Sequence, residues 1–227
     1  MSADETLRAA EAVPPARTGA EIPSWRLILT LTLAGAAAGF LLVFVYEATQ
    51  PVIQAYKARM IREAVEVVLQ DPARFEPLYV VGGQIQAELP AGADPKRTET
   101  VYLGYDAEDR PVGFAVVAAG PGYQDIVKLI FGYDPRTKKL LGLKVLESKE
   151  TPGLGDRIEA DPAFRGQFEG VVAPVVGVKK GAGTGGANEV DTISGATISS
   201  RAVIRILNES ISRVGPMLEA YLAKGAQ

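Results

Sequence analysis

An α+β fold behind a single N-terminal membrane-spanning helix is predicted by three features of this sequence. Residues 27–46 carry no charge. Residues 100–147 hold short apolar segments separated by turn residues. An amphipathic segment follows residue 198. Strands grouped together with helices at the ends indicate α+β rather than an alternating fold.

The chain has 227 residues, room for one domain plus an anchor. Charged residues are 22% and net charge is −3, with no concentrated basic face, so nucleic acid is not an expected partner. There is no Cys, which excludes disulfides, thiolate-held iron–sulfur clusters and c-type haem attachment. There is no His, which excludes a Ser-His-Asp triad and removes the commonest metal ligand. No metal site is expected. A redox role would therefore need an organic cofactor held some other way.

Residues 1–24 are rich in Ala, Pro and Glu and read as a mobile tail. The anchor is expected over residues 25–47. At ~1.5 Å per residue its charge-free run spans roughly 30 Å, the thickness of a bilayer's hydrocarbon core. It is too long for the apolar region of a signal peptide. Trp25 and Arg26 flank one end, Tyr46 and Glu47 the other. Arg17 and Arg26 before the span nearly balance Lys57 and Arg59 after it, so charge leaves the orientation open. Gly35 and Gly39 form a G-x-x-x-G stretch, which suits close approach of another helix or simply reflects the small residues common in membrane helices.

A juxtamembrane helix is expected over residues 48–72, with Val52, Ala55, Tyr56, Ile61, Ala64, Val65 and Val68 on one stripe. Pro51 is positioned to bend it, and Asp71-Pro72 to end it near Leu69. Residues 73–227 form the folded domain. Strands are expected at residues 100–105, 112–118, 125–133 and 139–147, paired antiparallel through short turns. Residues 171–178 read as an edge strand because of Pro174. The last helix is expected over residues 199–214, with Val203, Ile206, Leu207, Ile211 and Val214 inward. Gly215-Pro216 should break it before a short final helix.

Gly181-Ala182-Gly183-Thr184-Gly185-Gly186 matches G-x-G-x-x-G, but no helical face follows it, so it reads as a loop rather than a dinucleotide turn. Thr151-Pro152-Gly153-Leu154-Gly155-Asp156 reads as a turn whose glycines also let a planar ligand approach the backbone. In Asp191-Thr192-Ile193-Ser194-Gly195-Ala196-Thr197, little bulk surrounds Thr197. Residues 198–201 would offer free N–H groups to a phosphate at a helix start. The simpler physical reading is that Ser199 or Ser200 caps the helix. A Ser–Lys hydrolase through Ser194 or Ser200 finds only Lys179-Lys180 nearby and no supporting spacing.

The D-x-x-S-G-A-T stretch resembles the flavinylation site of the FMN-binding domain family. The segment Glu150-Thr151-Pro152-Gly153-Leu154-Gly155-Asp156 looks like the E-T-P-G-L-G-D loop of G subunits of Rnf electron-transport complexes. A weaker match is Gly120-Pro121-Gly122-Tyr123. The chain departs from relatives in having Gln124-Asp125 after that Tyr, and Ser148 where many have His. The C subunit of the sodium-translocating NADH:quinone reductase is similar but usually longer.

The resemblance implies an electron-transfer subunit of an ion-translocating oxidoreductase, without complete activity alone. Its cofactor would be FMN, covalently attached through a phosphoester to Thr197 by a flavin transferase using FAD. Asp191, Ser194, Gly195 and Ala196 would form the pattern the transferase reads. Thr151, Pro152, Gly153, Leu154 and Gly155 would lie against the flavin. The resemblance also implies the other subunits of a membrane complex as partners, coupling of ferredoxin:NAD electron transfer to Na⁺ or H⁺ movement, and a domain on the outer side of the cytoplasmic (inner) membrane. The rival expectations are a flavinylated subunit of another membrane reductase and a non-redox membrane adaptor.

Overall fold

A computed structural model describes residues 23–90, 92 and 98–225; most of the expected tail lies outside the described residues. The chain divides into two compact units, Met1–Gln54 and Ala55–Gln227.

Helix α1, Ser24–Val68, runs through both the expected anchor and the juxtamembrane segment. It is long and apolar enough to cross a membrane. Within its first unit the large apolar side chains, such as Leu31, Phe40 and Leu42, are exposed. Thr30 and Thr32 donate their hydroxyls to the carbonyls of Arg26 and Ile28 at 2.9 and 2.8 Å. That leaves neither hydroxyl donor unmet on the apolar surface, as hydrocarbon requires. Pro51 lies inside the helix without interrupting it. The helix ends one residue before Leu69, and Gln70 and Asp71 turn the chain with φ of 60° and 58°.

In the second unit, six strands form one antiparallel sheet: β1 Arg74–Val81, β2 Gln84–Gln86, β3 Glu99–Tyr105, β4 Pro111–Pro121, β5 Ile126–Asp134 and β6 Lys139–Glu147. Their order is β2-β1-β3-β4-β5-β6. The β1–β2 hairpin was not anticipated. Its signal was Gly82-Gly83, two residues with positive φ, the two-residue turn that matches strand twist.

Both faces of the sheet are covered. Phe114, Val116, Leu129, Phe131, Leu143 and Val145 join the main core. Ala115 and Ile130 point the other way, onto Ala64, Val65 and Val68 of α1. Burial on both sides explains why β4 reads as a nearly continuous apolar run. The end of α1 seats on glycines: Gly132 and Gly142 face one another in register, and a Cβ on Gly132 would strike the Val68 carbonyl oxygen.

Two short helices, α2 Arg157–Ala160 and α3 Pro162–Gly166, also went unanticipated. The expected edge strand at 171–178 is corrected. Only β7, Val176–Lys179, is a strand, and it pairs in parallel with β8, Glu189–Thr192, in a separate two-stranded sheet. Val175 is drawn out of any ladder because the Asn208 side chain takes both its N–H (2.9 Å) and its C=O (2.8 Å). The glycine loop between β7 and β8 is a loop, as expected.

The break expected at Gly215-Pro216 is also corrected. Helix α4, Thr197–Gly225, continues through it. Val214 and Leu218 are fully buried on either side of the exposed Pro216. Packing on both flanks holds the helix together despite the missing N–H.

Gly132→Ala should destabilise the domain by about 1–3 kcal/mol, the usual cost of overpacking. Gly166→Ala, where an added Cβ meets nothing within 4 Å, should be close to neutral. Urea midpoints of the two variants check this.

Candidate functional site

Three segments far apart in sequence meet at the start of α4. The first is the turn out of β8. Gly195 has φ of 87°, a conformation that penalises any side chain. The Ala196 N–H closes the turn on the Ile193 carbonyl at 3.0 Å. The Ser200 hydroxyl accepts from the Ile193 N–H (3.1 Å) and donates to the Ala196 carbonyl (2.9 Å). Thr197 is therefore the first residue of the helix.

This shifts the expected free donors. The Ser200 N–H is already bonded to Ala196, so the unpaired N–H groups belong to Thr197, Ile198 and Ser199 rather than to residues 198–201. The capping reading is corrected too. Ser200 serves the turn, and Ser199 donates to Glu150, so neither caps α4. Three free donors and the helix dipole remain available to an anion. The Thr197 hydroxyl is half-buried and donates only a long 3.4 Å bond to the Ile193 carbonyl, which leaves its oxygen reachable.

The second segment is the loop after β6. The N–H groups of Leu154 and Asp156 turn back to the Thr151 carbonyl, with Gly153 at positive φ. Pro152, Gly153 and Leu154 are exposed. Leu154 lies against Gly195, 3.7 Å from where a Cβ would stand. The Thr151 hydroxyl donates to Gln124 Oε1 at 3.2 Å. The third segment, Gly120-Pro121-Gly122-Tyr123, rests on α4. Arg205 donates to the Pro121 carbonyl, and a Cβ on Gly120 would meet Ile206 at 2.7 Å.

Glu150 joins them. It is only 5% exposed. Oε1 accepts from the N–H groups of Tyr123 (2.9 Å) and Gln124 (3.0 Å), and Oε2 accepts from the Ser199 hydroxyl (2.6 Å). Burial pushes its carboxyl up, but the Ser199 hydroxyl and the N–H groups of Gln124, Tyr123 and Asp125 together outweigh that and hold it below its ordinary value. Sequence reasoning did not single out Glu150 or Ser199 as a pair. Their separation in the chain gave no signal beyond the motif that contains Glu150.

The structure brings Thr151, Pro152, Gly153, Leu154, Gly155, Ser194, Gly195, Ala196 and Thr197 to this one corner. Asp191 lies apart from it. Its backbone is held by the Gln167 amide, and it lines a cleft of about 370 Å³ together with Arg157, Lys180 and Ser194. Beyond α1, the exposed large apolar side chains among the described residues are Tyr123, Ile126, Leu154, Val176 and Ile198. Tyr123, Leu154 and Ile198 come one from each segment. Apolar flanks, glycine-lined backbone and free donors at a helix start suit a planar ring carrying a phosphate.

Glu150 has a depressed folded-state value, so its contribution to stability is present above the ordinary carboxyl value of 4.5 and is lost as pH falls through the folded value. Wild type should therefore lose stability faster than Glu150→Gln as pH drops below 4.5, read as the difference between their urea midpoints across pH.

Residues 122–212 match the FMN-binding domain family. The chain is 32% identical over 189 residues to the G subunit of the ion-translocating oxidoreductase complex of Methanosarcina acetivorans, covering 83% of this chain and 93% of that one. It is 30% identical over 190 residues to the G subunit of the Na(+)-translocating ferredoxin:NAD(+) oxidoreductase complex of Acetobacterium woodii, covering 82% and 89%. The fold matches the crystal structure of Shewanella oneidensis NqrC with a TM-score of 0.62 at 20% identity, over 73% of this chain and 99% of that one. The chain belongs to the family of G subunits of ion-translocating oxidoreductase complexes, built on an FMN-binding domain.

Proposed function

We propose that this chain is a membrane-anchored electron carrier whose FMN is esterified through its phosphate to Thr197 Oγ1. The observation that carries the reading is the Thr197 hydroxyl itself. It is weakly held, stands at the first position of α4 beside three free N–H groups, and lies within the D-x-x-S-G-A-T pattern. FMN supplies reversible electron uptake. The N–H groups of Thr197, Ile198 and Ser199 would hold the phosphate oxygens, and Tyr123, Leu154 and Ile198 would flank the ring. No side chain here is asked to act as an acid or base on a substrate.

The ester needs neither thiol nor imidazole, which suits a chain with no Cys and no His. Attachment by a flavin transferase would form the Thr197 Oγ1–P bond, break the pyrophosphate bond of FAD, release AMP and free the hydroxyl proton. Asp191, in the cleft beside Ser194, would serve this maturation step. Within an Rnf-type complex the chain would relay electrons between other subunits of a ferredoxin:NAD oxidoreductase that moves Na⁺ or H⁺. The anchor at residues 25–47 would hold the flavin domain, residues 73–227, on the outer side of the cytoplasmic membrane. A charge-free span offers no ion path, so pumping would belong to partners.

Intact mass of the protein from its native host tests the reading. Wild type should be heavier than the polypeptide by one FMN less one water, and Thr197→Ala should have the bare mass. Bare wild-type mass from a host with an active transferase would favour a non-redox adaptor. Asp191→Ala should be flavinylated more slowly than wild type in a time course with transferase and FAD; equal rates would remove its role in maturation.

A further inference from the structure

A phosphoester tether fixes where a flavin is attached but not which way its ring faces, because the linking bonds rotate among staggered wells. Orientation has to come from the walls. Two of the walls at this site hang from one buried carboxylate. Glu150 heads the loop that carries Leu154. Its Oε1 holds the backbone of Tyr123 and Gln124, and its Oε2 takes the Ser199 hydroxyl at 2.6 Å. Ser199 and Thr197 share the first turn of α4, so the oxygen that would carry the phosphate and the hydroxyl held by Glu150 belong to one rigid element.

The backbone is shaped around this carboxylate. A Cβ on Gly122 would collide with Oε1. A Cβ on Gly155 would stand 2.8 Å from Oε2 and 3.0 Å from Ser199 Oγ. The other side-chain ties fall outside the first turn of α4: Arg157 donates to the Ser194 carbonyl at 3.1 Å, Arg205 donates to the Pro121 carbonyl, and Thr151 donates to Gln124.

We propose that Glu150 is the positioning residue of the flavin site, and that its bond to Ser199 latches the Tyr123 and Leu154 walls to the turn bearing Thr197 so that the attached ring keeps one orientation. The inference rests on the reading that FMN is attached at Thr197. Glu150 touches neither the phosphate nor the ring in this role; it acts through the segments it holds. Supporting residues of this kind decide whether a bound group is held or merely present.

The test uses the full-length flavinylated protein in detergent, with flavin content read by mass. Ser199→Ala cuts the latch and leaves the bonds to Tyr123 and Gln124 in place. Gly155→Ala pushes the carboxylate and the hydroxyl apart by an independent route. Each should keep its flavin but lose roughly half or more of the flavin's induced visible circular dichroism, with lower fluorescence anisotropy. Ser199→Thr, which keeps the hydroxyl, should restore both signals. Thermal unfolding followed in the far ultraviolet confirms that the variants compared are folded. Wild-type dichroism and anisotropy in folded, flavinylated Ser199→Ala overturn the latch alone. Wild type without attached flavin overturns the underlying reading together with the latch.

Discussion

A carboxylate taken out of water has to be matched by donors, and at Glu150 that requirement organises the site. Hydrogen bonds to a charged group contribute about 1.5–3 kcal/mol each, whereas a buried charge left without partners costs several. The donors come from Tyr123, Gln124 and Ser199, on two segments distant from Glu150 in the chain. Satisfying one side chain therefore draws the end of β4, the loop after β6 and the start of α4 to one point. Gly122 and Gly155 are the positions where a side chain would occupy the space the carboxylate needs.

The sheet provides the frame on which this point is fixed. Residues of alternating direction in β4 and β5 serve two cores, one shared with α4 and one with the end of α1. In the second core Gly132 and Gly142 let the end of α1 approach the sheet backbone, while Ile61, Ile130, Leu141 and Leu146 fill the space around it. Held on both faces, the strands present the ends of β4 and β6 on one side of the sheet. The loops that meet at Glu150 and the start of α4 leave from those ends.

The composition and the site agree about how a cofactor can be held. A chain with no thiol and no imidazole has no means of ligating iron or haem through them. A hydroxyl at a helix start, with three unpaired N–H groups beside it, is suited to a phosphate. Exposed apolar residues are normally scattered on a domain surface. Here Tyr123, Leu154 and Ile198 come from the three segments that Glu150 ties together. That arrangement puts exposed apolar surface on each of the three segments.

The apolar run at 27–46, strands β3 to β6 of the central sheet and the Asp191–Thr197 motif were legible in the sequence, because period, length and a short contiguous pattern are local properties. The hairpin at Gly82-Gly83 was equally local and was overlooked. The rest was decided by partners far along the chain. Asn208 drew Val175 out of a strand, and the buried Val214 and Leu218 carried α4 through Pro216. Ser199 looked like a helix cap because its hydroxyl would, by local rules, serve its own backbone. Folding brought a carboxylate to it instead. The sequence by itself determined the chemistry available to this protein, a Thr hydroxyl in a D-x-x-S-G-A-T motif behind a long apolar helix. Only the tertiary structure decided that the three motifs share one buried charge, because the pairing of donors with Glu150 depends on how the sheet ends and α4 meet in space.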